Sequence, residues 1–240
     1  TFYKNNYEAF MVGGCVRDSL LGLMPKDYDI TTSALPSITQ SLFEKTIPTG
    51  IQHGTVTVMM SRVGYEVTTY RIDGEYNDSR HPDTVEFTSN LIEDLKRRDF
   101  TINAMAYNTG IGLVDAFDGI GDIEKKEIRC VGNPRERFGE DALRILRAVR
   151  FSAQLGFHIE EGTMEAIKEL AGTLENISAE RIHVELEKLI MSNHPDKLIT
   201  AYEAGITKVV LPEFDAMMEC PQVSPYHMYN VGEHTIKVME

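Results

Sequence analysis

Phe10-Met11-Val12-Gly13-Gly14-Cys15-Val16-Arg17-Asp18, followed by Lys26-Asp27-Tyr28-Asp29-Ile30-Thr31-Thr32, is the stretch on which the fold turns. A short apolar run ends in two glycines. Val16 to Gly22 then reads as a short helix stopped by glycine, and Tyr28 to Thr32 alternates as a strand does. Strand, glycine turn, helix and strand within so few residues predict an α+β unit whose turn faces a ligand. Adjacent glycines let the backbone approach a bound group closely, and the free N–H groups that follow favour an anion. Arg17, one turn in, can offer a forked donor to phosphate. Taken alone, the glycine pair equally fits a plain turn.

Asp27 and Asp29 sharpen this reading. Residues i and i+2 of a strand share a face. Two like charges there repel unless a divalent cation lies between them, and Mg²⁺ takes one or two carboxylates plus substrate phosphates. A solvated Asp-x-Asp at a strand end is the competing explanation; the glycine turn upstream favours the metal. Glu66, on a later strand, is either a third carboxylate of the site or an exposed strand residue.

Outward from this core, residues 54–60 and 65–71 are strand signals, joined near Gly64. Residues 38–45 have helical spacing, and Val85-Glu86-Phe87 is a further short strand. The polar stretch from Asp73 to Asp83 reads as a loop. Residues 91–106 read as helical, most strongly from Asp99 to Ala106. In Arg97-Arg98-Asp99-Phe100-Thr101-Ile102-Asn103-Ala104, Arg98 can hold phosphate, while Asp99 and Asn103 share a helical face able to meet a ribose; an ordinary Arg–Asp pair is the alternative. Residues 113–131 read as turns and short strands. Beyond Asn133-Pro134 apolar residues recur at helical spacing, with helices expected through 143–151, 164–170, 179–192 and 194–204, and Ser178 as an N-cap. The expected domains are 1–132 (a mixed sheet with flanking helices), 133–195 (an all-helical neck) and 196–240 (the start of a helical body).

Glu140-Asp141-Ala142-Leu143-Arg144-Ile145-Leu146-Arg147-Ala148-Val149-Arg150 places Asp141, Arg144, Arg147 and Arg150 three apart, one stripe of a helix. A carboxylate accepts from an exocyclic amine and a guanidinium donates to ring nitrogens and carbonyls, so the stripe can imitate a base edge. A solvated charged face is the bland alternative. Ser178 to Lys188 reads as a structural amphipathic helix.

Net charge is -13, which argues against a general polyanion binder. The charge is uneven: residues 1–150 hold 18 basic and 22 acidic side chains, residues 151–240 hold 6 and 15, and residues 125–150 hold 8 and 4. RNA, if bound, is expected to meet a local patch or a C-terminal part beyond this sequence. Three scattered cysteines form no disulfide framework or zinc pattern, so a reducing cytoplasm is expected. No apolar run reaches membrane-spanning length. A start at Thr1 and an end at Glu240 inside a helical run suggest a piece of a longer protein.

The ordered set of Gly13-Gly14 with Val16-Arg17-Asp18, the Asp27/Asp29 pair, Arg97 to Ala104, the 140–150 stripe and the Glu180-Arg181 helix resembles the class II tRNA nucleotidyltransferases. These are the CCA-adding enzymes and the bacterial poly(A) polymerases. The resemblance implies a nucleotidyltransferase head followed by an all-helical neck and body. It implies Mg²⁺ on Asp27 and Asp29 as the catalytic pair, with triphosphate on Gly14, Arg17 and Arg98. It also implies nucleotide selection by Asp141, Arg144, Arg147 and Arg150, the substrates being CTP, ATP and the tRNA 3′ end. The 73–83 stretch corresponds to the family's flexible loop, and Glu180–Lys188 to the neck motif that supports the selecting helix. Gly50-Ile51-Gln52-His53-Gly54-Thr55 is similar to the CCA-adding version of that strand. An A-adding enzyme, a poly(A) polymerase and a non-catalytic RNA- or nucleotide-binding module are the alternatives. Tyr226 to Thr235 resembles the start of an HD-type phosphohydrolase domain.

Overall fold

The structure, a computed structural model, describes residues 1–74, 85–223 and 228–240. The described chain forms two compact units, residues 1–74 with 85–125, and residues 126–240. Most of the 73–83 loop, and Tyr226 and His227 of the HD-like segment, lie outside the described residues.

In the first unit the elements run β1 (Ala9–Val12), α1 (Gly14–Leu20), β2 (Asp29–Thr32), α2 (Pro36–Leu42), β3 (Thr46–Gly50), β4 (Thr55–Met60), β5 (Val63–Thr69), β6 (Arg71–Asp73), β7 (Val85–Phe87), α3 (Leu91–Lys96), β8 (Met105–Asn108), β9 (Gly112–Asp115) and α4 (Gly119–Lys125). Among the described residues, seven strands form one mixed sheet in the order β3-β4-β5-β2-β1-β8-β9. Only β2 and β5 pair in parallel within it. The expected mixed sheet with flanking helices is therefore present. β6 and β7 form a separate antiparallel pair.

Val12 lies opposite Asp29, and Asp29 lies beside Glu66, so β2 carries its carboxylate between the glycine turn and β5. Phe10, Val12, Tyr70, Leu95 and Ala106 form one core cluster under this part of the sheet. Val58, Val67, Phe2 and Ala34 form another. Alternation along β4 and β5 buries Val56, Val58 and Val67, with Thr57 and Glu66 on the opposite, more accessible face.

Three local expectations are corrected. The β4–β5 hairpin turns at Ser61-Arg62, both at positive φ, and Gly64 lies within β5. A two-residue turn of that kind matches the twist of the flanking strands. The helix expected to run from 91 to 106 stops at Lys96. Thr101–Asn103 form a short 3-10 turn, and Met105–Asn108 are a strand paired with β1 and β9. Burial on both sides of the sheet, with Met105 and Ala106 fully enclosed, overrides a sequence of good helix formers. Residues 119–125 form a helix where turns were expected, because the Asp115 carboxylate accepts from the Gly119 and Ile120 amides at 2.8 and 2.9 Å and nucleates it. Gly119 is required there, since a Cβ would lie 2.5 Å from the Thr101 carbonyl oxygen. The edge strand β3 was not read from sequence; Pro48 is tolerated in it because an edge leaves one row of donors unused.

The second unit is helical: α5 (Pro134–Glu140), α6 (Leu143–Leu155), α7 (Glu161–Leu170), α8 (Ala179–Ile190), α9 (Lys197–Glu203), α10 (Thr207–Val210), α11 (Pro212–Met218) and α12 (Val231–Met239). One parallel pair of two-residue strands, β10 (Glu127–Ile128) and β11 (His158–Ile159), interrupts it. α6 is the central element. It packs against α8 and α9, and its Ile145, Leu146, Ala148 and Val149 are fully enclosed. Each such Leu or Ile contributes about 2 kcal/mol of burial. Gly156 ends α6 in the left-handed region, at φ 68°.

Candidate active site

The first unit holds a polar cleft of about 610 Å³ lined by Lys26, Asp27, Tyr28, Asp29, Thr57, Tyr65 and Glu66, among others. Asp27 lies two residues before β2, and Asp29 opens the strand. Their two-residue spacing brings both carboxyls to one cleft, as the alternation requires. Neither makes a salt bridge with a described residue. Crowding by the cleft walls pushes the Asp29 carboxyl above its usual range; Arg98 opposes the rise and Asp27 adds to it. A carboxylate whose like-charged neighbour disfavours its charge is one that a cation stabilises.

The donor set fits such a cation within limits. Among the described residues no group of three or more His, Cys, Asp or Glu side chains is placed to hold a metal. Glu66 borders the same cleft without completing such a set. A carboxylate pair suits a hard divalent ion that takes its remaining ligands from water and phosphate. It does not suit a structural zinc site, which needs four protein donors.

Beside the pair stands the glycine turn. Gly13 has φ 73°, and a Cβ there would meet Arg98 Nη1 at 3.1 Å, so glycine is required both by backbone conformation and by the guanidinium packed over it. The Cys15 thiol donates to the Val12 carbonyl at 3.2 Å and approaches the Asp29 carbonyl at 4.0 Å, tying α1 to β2. Burial pushes that thiol's pKa up, as expected of a packing residue and not of a nucleophile. Arg17 is buried. Its Nη1 donates to Asn103 Oδ1 at 2.6 Å, and its Nε and Nη2 donate to Asp18 Oδ1. Asn103 Nδ2 in turn donates to Asp99 Oδ1 at 3.2 Å. Asp99 and Asn103 thus meet as the four-residue spacing suggested, but through a 3-10 turn and with Arg17 as third member.

Sequence reasoning overlooked Asp94, which is fully buried beside this site. Its signal was present: Asp94, Arg97 and Arg98 stand at i, i+3 and i+4.

In the second unit the charged stripe is built differently from the expected single helix face. Asp141 is extended, between α5 and α6, and its Oδ1 accepts from the Leu143 amide at 3.1 Å. A short carboxylate ahead of a helix satisfies free amides there better than a helical residue would. Its other partner is Arg181 on α8, at 2.8 Å. Arg144 donates to Glu140 at 2.5 Å and to the Arg137 carbonyl at 3.0 Å. Arg147 lies 4.0 Å from Glu185 and over the Phe151 ring. Arg150 is buried: it donates to Glu185 at 2.8 Å and to Gln154, and stacks on Phe151 at 3.5 Å. The structure therefore places Asp141, Arg144 and Arg147 partly accessible and Arg150 inside. Arg181, Glu185 and Glu140 are the partners that the stripe alone did not disclose. Ser178 occupies the N-cap position of α8 without a side-chain cap bond.

A separate apolar cavity of about 270 Å³, lined by Met11, Cys15, Val16, Ser19, Leu20, Tyr107 and Leu113, has no charged side chain in its wall.

The family profile described as the poly A polymerase head domain matches residues 9–129, the span that contains this cleft. The chain belongs to the poly(A) polymerase head-domain family. A second profile, described as the probable RNA and SrmB-binding site of polymerase A, matches residues 156–218. Within the family the chain is 54% identical over 199 residues to the CCA-adding enzyme of Oceanobacillus iheyensis, covering 83% of this chain and 50% of that one. It is 53% identical over 195 residues to the CCA-adding enzyme of Lactiplantibacillus plantarum, covering 81% and 48%. Among solved structures it is similar to the Bacillus stearothermophilus CCA-adding enzyme in complex with CTP (TM-score 0.79, 43% identity, 85% of this chain and 50% of that one). It is also similar to the Thermotoga maritima CCA-adding enzyme complexed with tRNA_CCA (TM-score 0.71, 26% identity, 93% and 51%). The chain spans about half the length of the curated relatives it matches. Among the described residues no helix is long and apolar enough to cross a membrane.

Proposed function

We propose that this chain carries the catalytic and nucleotide-selecting part of a CCA-adding tRNA nucleotidyltransferase, acting without a nucleic-acid template in the cytoplasm. The observation that carries the reading is the Asp27/Asp29 pair in a polar cleft beside a glycine turn covered by Arg98. The relatives named CCA-adding enzymes support the choice of substrates.

In this reading Asp27 and Asp29 hold divalent cations, Mg²⁺ by their oxygen donors, which neutralise charge at the transferred phosphoryl group when bound. Gly13 and Gly14, lacking side chains, admit the triphosphate against the backbone. Arg98 and Arg17 orient phosphate oxygens. The tRNA 3′-hydroxyl oxygen bonds to the α-phosphorus of CTP or ATP as the bond to pyrophosphate breaks, and the hydroxyl proton passes to solvent. Holding the two reactants in line supplies most of the acceleration.

Asp141 and Arg144 would read the base. Cytosine and adenine carry an exocyclic amine where uracil and guanine carry a carbonyl, so a carboxylate acceptor with a guanidinium donor selects the first pair. To do so Asp141 exchanges its bond from Arg181, and Arg144 its bond to Glu140. Arg147 flanks them, and Arg150 holds their helix through Glu185.

The test is product sizing on tRNA lacking its terminal CCA. With CTP and ATP together the tRNA should lengthen by C, C and A and stop. Addition of A alone to tRNA ending in CC, without C addition, would identify an A-adding enzyme, and long A tails a poly(A) polymerase. No incorporation with Mg²⁺ present would leave only a binding module.

A further inference from the structure

Asp94 is the most completely buried carboxylate near the cleft, at 0% exposure, and the reading above assigns it nothing. Its bonds run in three directions. Oδ2 accepts from Thr31 Oγ1 at 3.0 Å. Thr31 follows Asp29 by two residues on β2. The same oxygen lies 3.6 Å from Arg98 Nη2. Oδ1 accepts from Arg97 Nε and Nη2 at 3.0 and 2.8 Å, and from the Arg71 amide at 3.4 Å. Arg97 also lies 3.7 Å from Asp73, the last residue of β6.

Arg98 is held in turn between unlike neighbours. Its Nη2 end faces Asp94, its Nη1 end covers Gly13, and Asp29 feels its charge. Its Nε is buried with no hydrogen-bond partner among the described residues. A guanidinium has five donors in a rigid fork, so fixing one end sets the direction of the rest. A buried, ionised acid at that end costs free energy unless cationic and hydrogen-bonding partners repay it, and four groups do so here. Burial alone would raise the Asp94 carboxyl, but Arg97 and Arg98 together outweigh it and hold the group below the usual carboxylate range.

We propose that Asp94 is a positioning residue of the phosphate site: its buried carboxylate, anchored to Thr31 of the metal-facing strand, aims Arg98 over Gly13 and beside Asp29. The proposal rests on the reading of Arg98 as a triphosphate ligand. It acts on nucleotide affinity through Arg98, not on the reacting atoms.

The experiment is a double-mutant cycle with Asp94→Asn and Arg98→Ala in the full protein, measuring kcat and KM for CTP on tRNA lacking CCA, and inhibition by inorganic pyrophosphate. Asp94→Asn keeps size and the Thr31 contact but loses the charge. We expect KM for CTP and the pyrophosphate inhibition constant to rise about tenfold each, with kcat within about threefold, a tenfold change being about 1.4 kcal/mol. The double variant should match Arg98→Ala within about twofold, since one residue acts through the other. Asp94→Glu should recover part of the lost affinity. Effects that multiply in the double variant, or a fall in kcat with both affinities unchanged, would overturn the proposal. If Asp94→Asn fails to fold, Thr31→Val, which removes the anchoring hydroxyl and with it a contact to the Thr68 carbonyl, is put through the same cycle under the same criteria. Absence of incorporation by the unmodified protein would instead reject the transferase reading, a result separable from either outcome.

Discussion

The two charged regions of the molecule are organised in opposite ways. In the polar cleft, Asp27 and Asp29 stand near one another without a salt bridge to any described residue. Around α6, every charged member of the stripe already has a protein partner: Asp141 with Arg181, Arg144 with Glu140, and Arg147 and Arg150 with Glu185. Carboxylates held close without cationic partners store repulsion that a bound cation relieves. Charges paired in advance are fixed in direction, and a ligand must offer equal partners to displace the old ones. The first arrangement suits catalysis through a cation, the second suits discrimination between bases.

Removing a charge from each region separates the two. Asp27→Ala or Asp29→Ala should lower incorporation on the order of 10³-fold or more, because the charge stabilisation at the phosphoryl group goes with it. The melting temperature should stay within a few degrees, since neither group is part of a folded-state ion pair. Retained activity in either variant would break the contrast on the cleft side. Around α6 the largest effect should be on stability. Glu185→Ala leaves Arg150 buried without its carboxylate, a loss of about 3–5 kcal/mol in urea unfolding. Arg181→Ala, in a more exposed pair, should cost under about 1 kcal/mol; equal losses would show that burial does not grade the two pairs. Asp141→Ala should reduce discrimination against UTP and GTP by about 10- to 100-fold, the value of one good base contact. Its stability cost should be smaller. Unchanged discrimination would make the stripe a solvated face after all.

A last test concerns a carboxylate of the second unit with no part in either region. Glu160 caps α7 by accepting from the Gly162 and Thr163 amides. Burial alone would raise its carboxyl, but these bonds, with Arg129 nearby, hold it below the ordinary value of 4.5. A lowered folded-state pKa means stability that is present above the unfolded value and lost as pH falls through the folded one. Glu160→Gln should therefore cost about 1 kcal/mol at neutral pH and nothing in strong acid, measured by urea unfolding across pH. A pH-independent cost would attribute the cap to shape alone.

Much of both regions was legible in the chain. The glycine turn, the Asp27/Asp29 spacing and the helical repeat from 143 onward depend on neighbours a few residues apart, and the structure places them as read. Val85–Phe87 and the two hairpin strands followed from alternation in the same way. The failures had two sources. Met105 and Ala106 look helical until the distant strands β1 and β9 enclose them, whereas the helix at Gly119 was missed although its cap, the Asp115 carboxylate, stands only four residues ahead.

Residue types and short-range periodicity by themselves determined the strand–turn–helix–strand core, the carboxylate pair and the helical second half. Those features arise from backbone sterics and side-chain alternation, which act over a few residues. Only the tertiary structure decided which charges are partnered. Asp94 meets Thr31 across 63 positions, Arg17 meets Asn103 across 86, and Asp141 meets Arg181 across 40. No local rule reports such meetings, because the desolvation that gives them their strength exists only once the core has closed around them.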